Sequence, residues 1–146
     1  RGTSPGFFTV GYEGRDIDAF LNVLIQNNIQ VLVDVRYNPF SMNFSFIQAK
    51  LESYLKKSSI EYNHVKGLGI EGGSRKNLET DDYYRNLFIQ YENSILPAHL
   101  EDFNAVVELG KRKRIALMCF EKDVCHCHRG VLAKRLRENG LQVVDL

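Results

Sequence analysis

No apolar run in these 146 residues approaches the roughly 20 that a membrane-spanning helix needs. The opening stretch, RGTSPGFF, has no apolar signal core. An excess of either charge is missing too. Nineteen Lys and Arg against 18 Asp and Glu leave a net charge of +1, so no overall field draws the chain to nucleic acid or to an anionic membrane. Cysteine is scarce and odd in number, at three, which excludes a disulfide framework and makes a reducing cytoplasm the simplest compartment. There is no internal repeat and no low-complexity segment. The chain also lacks an initiating Met, so an upstream piece or tag is expected to have been removed. What remains is ordinary for a globular protein, with 44% hydrophobic and 25% charged residues. This length fits a single domain over residues 1–146 with one sizeable core and a flexible lead over 1–6.

Apolar runs alternate with helical patterns. Phe7 to Val10 reads as a first strand, followed by the Gly-bounded loop GYEG. Ile17, Phe20, Leu21, Leu24 and Ile25 then recur at helical spacing, with Asp16 as N-cap and Asn27-Asn28 as the stop. Val31 to Val35 is a β-branched run of the kind buried on both faces of a parallel sheet. Pro39 in the loop RYNPFS forbids its continuation. Ile47, Leu51, Tyr54 and Leu55 mark a second helix, and Glu61 to Val65 a third, less buried strand. The Gly-rich loop KGLGIEGGSRKNL follows. Thr80 caps a helix facing inward through Tyr83, Leu87 and Tyr91. Another helix carries Leu96, Leu100, Phe103 and Val107 and is stopped by Gly110. Ile115 to Phe120 is a fourth strand. A last helix runs from about His128 to Asn139 with Gly140 at its C-cap, and QVVDL closes the chain.

This order predicts an α/β domain with a largely parallel sheet of about five strands and helices on both faces. Val31, Val33, Ile115, Leu117 and Leu21 are expected to be nearly fully buried. Ligands of such sheets sit at the carboxyl ends of the strands. Four loops belong to that edge: GYEG, RYNPFS, KGLGIEGG and EKDVCHCHR. They hold nearly every residue with chemistry to offer, and Tyr12, Arg36, His64, Glu121 and Cys127 are expected around one concavity.

The stretch CFEKDVCHCHRGVLAKRL, Cys119 to Leu136, holds all three cysteines and two of the four histidines. Cys127 sits where the last helix begins, beside unpaired N–H groups and the positive end of the helix dipole. His128 and Arg129 next to it lower a thiol pKa further, which makes Cys127 a candidate nucleophile; otherwise it is a small buried residue packing the helix start. His128 is either its base or a polar cap. Arg129 and Arg36 at one pocket suit a phosphate or carboxylate in the ligand. The alternative is that each pairs with a structural acid, and Asp34, ending a buried strand, needs such a partner. Glu121 and Glu13 could divide acid and base work between them; alternatively Glu13 is a solvated residue in a tight turn. Tyr12 and Tyr37 stack on a ligand ring or roof the core. His64 ends the third strand and faces the loop holding Gly69.

Metal is not expected. CHCH offers four donors, but zinc sites draw C-x2-4-C pairs from two segments, and consecutive residues do not close on one tetrahedral ion. No cofactor is indicated. Lys111 to Arg114, with Lys134, Arg135 and Arg137, could touch a phosphate backbone, yet no aromatics interleave them, so nucleic acid is weakly supported as a partner. A membrane partner is excluded, a small anionic ligand is compatible, and the oligomeric state is open.

VGYEGR, LVDVRYNPFS, YNHVKGLG and LMCFEKDVCHCHRGVLAKRL occur together in this order. In combination they resemble a bacterial and archaeal family known as domain of unknown function 488, from about Phe8 to the end. The resemblance implies the fold and the position of the site but no reaction, and it does not require Cys125. VLVDVR is also similar to the second strand of rhodanese domains, and the strand, Cys loop and basic helix from Ile115 to Arg137 resemble the active-site loop of rhodaneses and Cys-based phosphatases. That likeness implies a catalytic role for Cys119, although the loop here is longer than a compact anion cradle; sulfur transfer, with a persulfide on Cys119 or Cys127, is a third chemistry. The expectation is therefore an enzyme acting on a phosphate- or nucleotide-containing substrate, with a nucleotide or nucleic-acid binding module as the alternative.

Overall fold

The structure, a computed structural model, describes residues 4–36, 46–68, 89, 91–119 and 128–146. The described chain runs β1 (Gly6–Gly11), α1 (Ile17–Gln26), β2 (Val31–Asp34), α2 (Gln48–Lys57), β3 (Glu61–His64), a 3-10 turn (Lys66–Leu68), a π turn (Tyr91–Ile95), α3 (Leu96–Ala98), α4 (Leu100–Arg112), β4 (Arg114–Cys119), α5 (His128–Glu138) and β5 (Val143–Asp145). The five strands form one sheet in the order β3-β2-β4-β1-β5, and every pairing is parallel. None of the described helices is long and apolar enough to cross a membrane.

Successive strand residues point to opposite faces, and both faces are covered. Phe7, Val31, Val33, Ile115 and Leu117 pack with Phe103 and Val106 of α4 and Val131, Leu132 and Leu136 of α5. Phe8, Val10, Leu32, Ala116 and Met118 pack with Phe20 and Leu24 of α1 and Leu51 and Leu55 of α2. Burial on both sides is why β2 and β4 read as unbroken apolar runs rather than alternating ones. Val31, Val33, Ile115 and Leu117 have no exposed surface. Leu21 does not follow them. It is only partly buried at the flank of the second cluster, because Phe20 and Leu24 occupy the line of closest approach. Ile25, one position past Leu24, is turned out and 52% exposed.

Three helices stop by one device. Asn28 and Ser59 have φ of 57° and 61°, and Gly140 has φ of 81°. In each case that residue's N–H donates three residues back and the next residue's N–H five back: Asn28 to Ile25 and Ile29 to Leu24, Ser59 to Lys56 and Ile60 to Leu55, Gly140 to Arg137 and Leu141 to Leu136. This is the Schellman arrangement, with an apolar residue following the left-handed one. It throws the chain back along the helix and into the next strand. Asp16 caps the start of α1, accepting from the Ala19 N–H at 2.8 Å.

Gly110 does not stop its helix. α4 continues to Arg112, and Gly110 lies on its buried face against Phe7. A Cβ there would collide with the Phe7 ring. The glycine marks a close approach of helix to sheet, which is the other reason a glycine appears at a helical position.

The connections reverse direction within the sheet. From β1 the chain passes α1 to reach β2, which lies beyond β4. From β4 it passes α5 to reach β5, which lies beyond β1. The chain therefore leaves β4 toward one face, and leaves β1 and β2 toward the other. In open α/β sheets such a reversal is where ligands commonly bind, at the carboxyl ends of the strands.

Candidate functional site at the carboxyl edge

The register brings the ends of four strands level: Gly11 pairs with Cys119, and Asp34 pairs with both Met118 and His64. The Val35 N–H extends the ladder to the Met118 carbonyl at 3.1 Å. Asp34 thus arrives at the edge with its side chain fully buried, where an unpaired carboxylate would be costly. Four hydrogen bonds meet it. The Arg36 backbone N–H and Nε donate to Oδ1 at 3.1 and 2.8 Å. Arg36 Nη2 and Tyr62 Oη donate to Oδ2, each at 2.6 Å.

Arg36 has further partners. Nη1 donates to Tyr12 Oη at 3.2 Å and to the Phe46 carbonyl at 2.7 Å. Its guanidinium carbon stands 5.5 Å from the Tyr12 ring centroid, and the Tyr12 ring stacks on Phe46 at 4.2 Å and 10°. Arg36 and Phe46 bracket residues 37–45, so their bond clasps the two ends of the β2 loop. β1 and β2 are not neighbours, because β4 lies between them. The Tyr12–Arg36 bond is therefore a strap across the end of β4, spanning about 10 Å between strand axes.

The charges are tuned by this packing. Burial, the largest single influence, pulls the Arg36 pKa down, but the hydrogen bonds and charge of Asp34, with Tyr12, outweigh it and leave the guanidinium more firmly protonated than usual. Burial first, and then the negative charge and hydrogen bond of Asp34, push the Tyr62 phenol well above its ordinary value. His64 closes the cluster, with Nε2 at 2.7 Å from the Arg36 carbonyl.

Tyr12, Arg36 and His64 therefore come together through one connected network. Glu13 stands one residue beyond Tyr12, exposed in the tight turn closed by the Arg15 N–H on the Tyr12 carbonyl at 3.0 Å. Tyr37, Gly69, Glu121, Cys125 and Cys127 lie outside the described residues. His128 and Arg129 form the start of α5, but their side chains, like that of Cys119, lie outside them too. The chain leaves β4 at Cys119 and enters α5 at His128, which confines both ends of the Cys loop to this edge.

Sequence reasoning missed Tyr62. The signal was available: on β3 it sits two residues before His64, the direct partner of Asp34, and so lies diagonally across from the carboxylate on the same face.

The basic run lies at the opposite end of the sheet. Lys111 and Arg112 end α4, and Lys113 Nζ is 3.4 Å from Glu61. Arg114 donates to the carbonyls of Asn27 and Ser4 at 3.0 and 2.9 Å and covers the Phe8 ring at 4.7 Å. Two cavities lined by described residues open there, one of about 550 Å³ beside Phe7, Gly110 and Gln142 and one of about 310 Å³ beside Ile25, Gln30 and Ser58. Neither touches the Asp34–Arg36 network. Among the described residues no three His, Cys, Asp or Glu side chains gather as a metal site.

No curated protein and no solved structure matches this chain. The model of the family described as domain of unknown function DUF488 matches residues 16–136. That span holds β2 with Asp34 and Arg36, all of β3 and β4, the Cys loop and most of α5, so every strand end that builds this edge but that of β1 lies within it, and the chain belongs to the DUF488 family.

Proposed function

We propose that this protein is an enzyme acting on a small anionic, phosphate- or nucleotide-containing substrate at the carboxyl edge of its sheet. The reading is carried by the strap across β4. Tyr12 and Arg36 join two non-adjacent strands over the end of the one strand that leads into the Cys loop. A fold that spends a desolvated ion pair at this place holds its edge rigid beside Cys119, and rigidity is what a reacting group needs from its surroundings.

The roles divide by position. Cys127 directly precedes the eleven residues of α5, His128–Glu138. The helix N-terminus and Arg129 favour its thiolate, and the same amides favour a phosphate. His128 and Glu121 carry protons. Arg129 holds the anion, and Tyr12, Glu13 and Gly69 border it. Arg36 serves as the wall, since Nε, Nη1 and Nη2 all donate within the protein.

The test is iodoacetamide labelling against pH, read by peptide mass spectrometry. A free thiol titrates near about 8.5, and each unit of depression corresponds to about 1.4 kcal/mol of preference for thiolate. Cys127 should label first below neutrality, and Arg129→Ala should slow it by raising the thiol pKa. Cys119, at the end of a strand buried on both faces, should remain a slow thiol. Equal, slow labelling of all three cysteines would remove the nucleophile and leave a nucleotide or nucleic-acid binding module as the better reading.

A further inference from the structure

We propose that His64 meets the ligand of this edge through Nδ1, as the acceptor for a ligand hydroxyl group. The inference rests on the reading of the carboxyl edge as a substrate site, and it adds the functional group that the β3 side of that site selects. A carbonyl oxygen only accepts hydrogen bonds. Nε2, 2.7 Å from the Arg36 carbonyl, must therefore carry the hydrogen. In the neutral ring this leaves Nδ1 as a lone-pair acceptor.

The tautomer is imposed by the network. The residue whose carbonyl sets it is held at both ends, by its backbone N–H on Asp34 Oδ1 at 3.1 Å and by its guanidinium on the same carboxylate. Ring geometry turns Nδ1 away from the carbonyl that holds Nε2. Among the described residues no donor reaches Nδ1, and His64 is only half-buried. In the neutral ring an acceptor at Nδ1 repels phosphate oxygens and welcomes an O–H. β3 is two strands from β4. A ligand that touches His64 and the start of α5 together must be longer than a bare phosphate. The chemical class that fits is a phosphate ester bearing a free hydroxyl, such as a sugar phosphate or the ribose of a nucleotide.

D-ribose 5-phosphate and inorganic phosphate are the probes. Long-range proton–nitrogen NMR on the nitrogen-15-labelled protein, with the ring neutral, should find His64 as the Nε2–H tautomer. Diethyl pyrocarbonate, which acylates a neutral ring nitrogen, should modify His64, and ribose 5-phosphate should slow that several-fold more than inorganic phosphate. His64→Gln keeps an N–H for the Arg36 carbonyl but loses Nδ1. It should melt near the wild-type temperature, bind ribose 5-phosphate several-fold more weakly and bind inorganic phosphate unchanged. An Nδ1–H tautomer, equal protection by the two probes, or wild-type affinity in His64→Gln would each overturn the proposal. None of these outcomes depends on the reactivity of Cys127, so the thiol reading stands or falls separately.

Discussion

The two ends of the sheet each set an arginine against backbone carbonyls, and the two arginines do different work. At the amino end Arg114 donates to Asn27 and Ser4 and lies over Phe8, but it has no carboxylate in that set of contacts and its surroundings are open. At the carboxyl end Arg36 is 6% exposed and shares its guanidinium between Asp34, Tyr12 and a carbonyl. One arginine, open to water, ties the C-cap of α1 to the lead into β1. The other is a buried charge whose partners are all fixed. A buried ion pair is weak evidence for stability, because hydrophobic packing would serve as well. Its presence at the carboxyl end, and there only among the described ion pairs, is what singles that end out.

Breaking the buried arginine should therefore cost most. Arg36→Met strands Asp34 without its cation and should lower unfolding free energy by about 3–5 kcal/mol in urea titrations. A loss under about 1 kcal/mol, the usual size for an exposed pair, would mean that Asp34 is hydrated and the two ends are alike. Tyr62→Phe removes one charge-assisted hydrogen bond from Asp34 and should cost about 1.5–3 kcal/mol. Arg114→Met, at the wet end, gives up bonds to carbonyls that water can replace and should cost about 0.5–1.5 kcal/mol.

Alkaline pH gives the finest distinction. The folded protein holds the Tyr62 phenol above its usual value, through burial and the charge of Asp34. Above about 10 the unfolded chain therefore releases a proton that the native state keeps. Stability from this group is complete below that pH and falls as pH rises beyond it. Tyr62→Phe should flatten that alkaline loss, while Tyr91, raised by burial and bonded to the Leu68 carbonyl at 2.6 Å, keeps its own share. Arg114→Met should leave the alkaline slope unchanged.

Much of the fold was legible because local signals agreed with tertiary ones. The doubly buried runs at Val31 and Ile115, the Asp16 cap, and the Asn28 and Gly140 stops each say locally what the fold requires. Ser59 was not legible, since serine rarely signals a left-handed residue; its conformation is imposed by Ile60 packing back toward Leu55. Gly110 misled, because a glycine that admits a neighbouring ring is written like one that ends a helix. Leu21 and Ile25 misled because a helix on a sheet buries a narrower stripe than its apolar periodicity suggests. At the site, the need of Asp34 for a partner was readable from its place at the end of a buried strand. The strap from Tyr12 to Arg36 was not, because it depends on β4 entering the sheet between strands that precede it in sequence.

The most direct test of the carboxyl edge as the ligand site is amide chemical-shift mapping during titration with ribose 5-phosphate. Shifts are expected at Tyr12, Arg36, His64 and the first turn of α5, with Phe7, Lys111, Arg114 and Gly140 unmoved. Shifts confined to those last four would place the ligand in the amino-end cavity and contradict it.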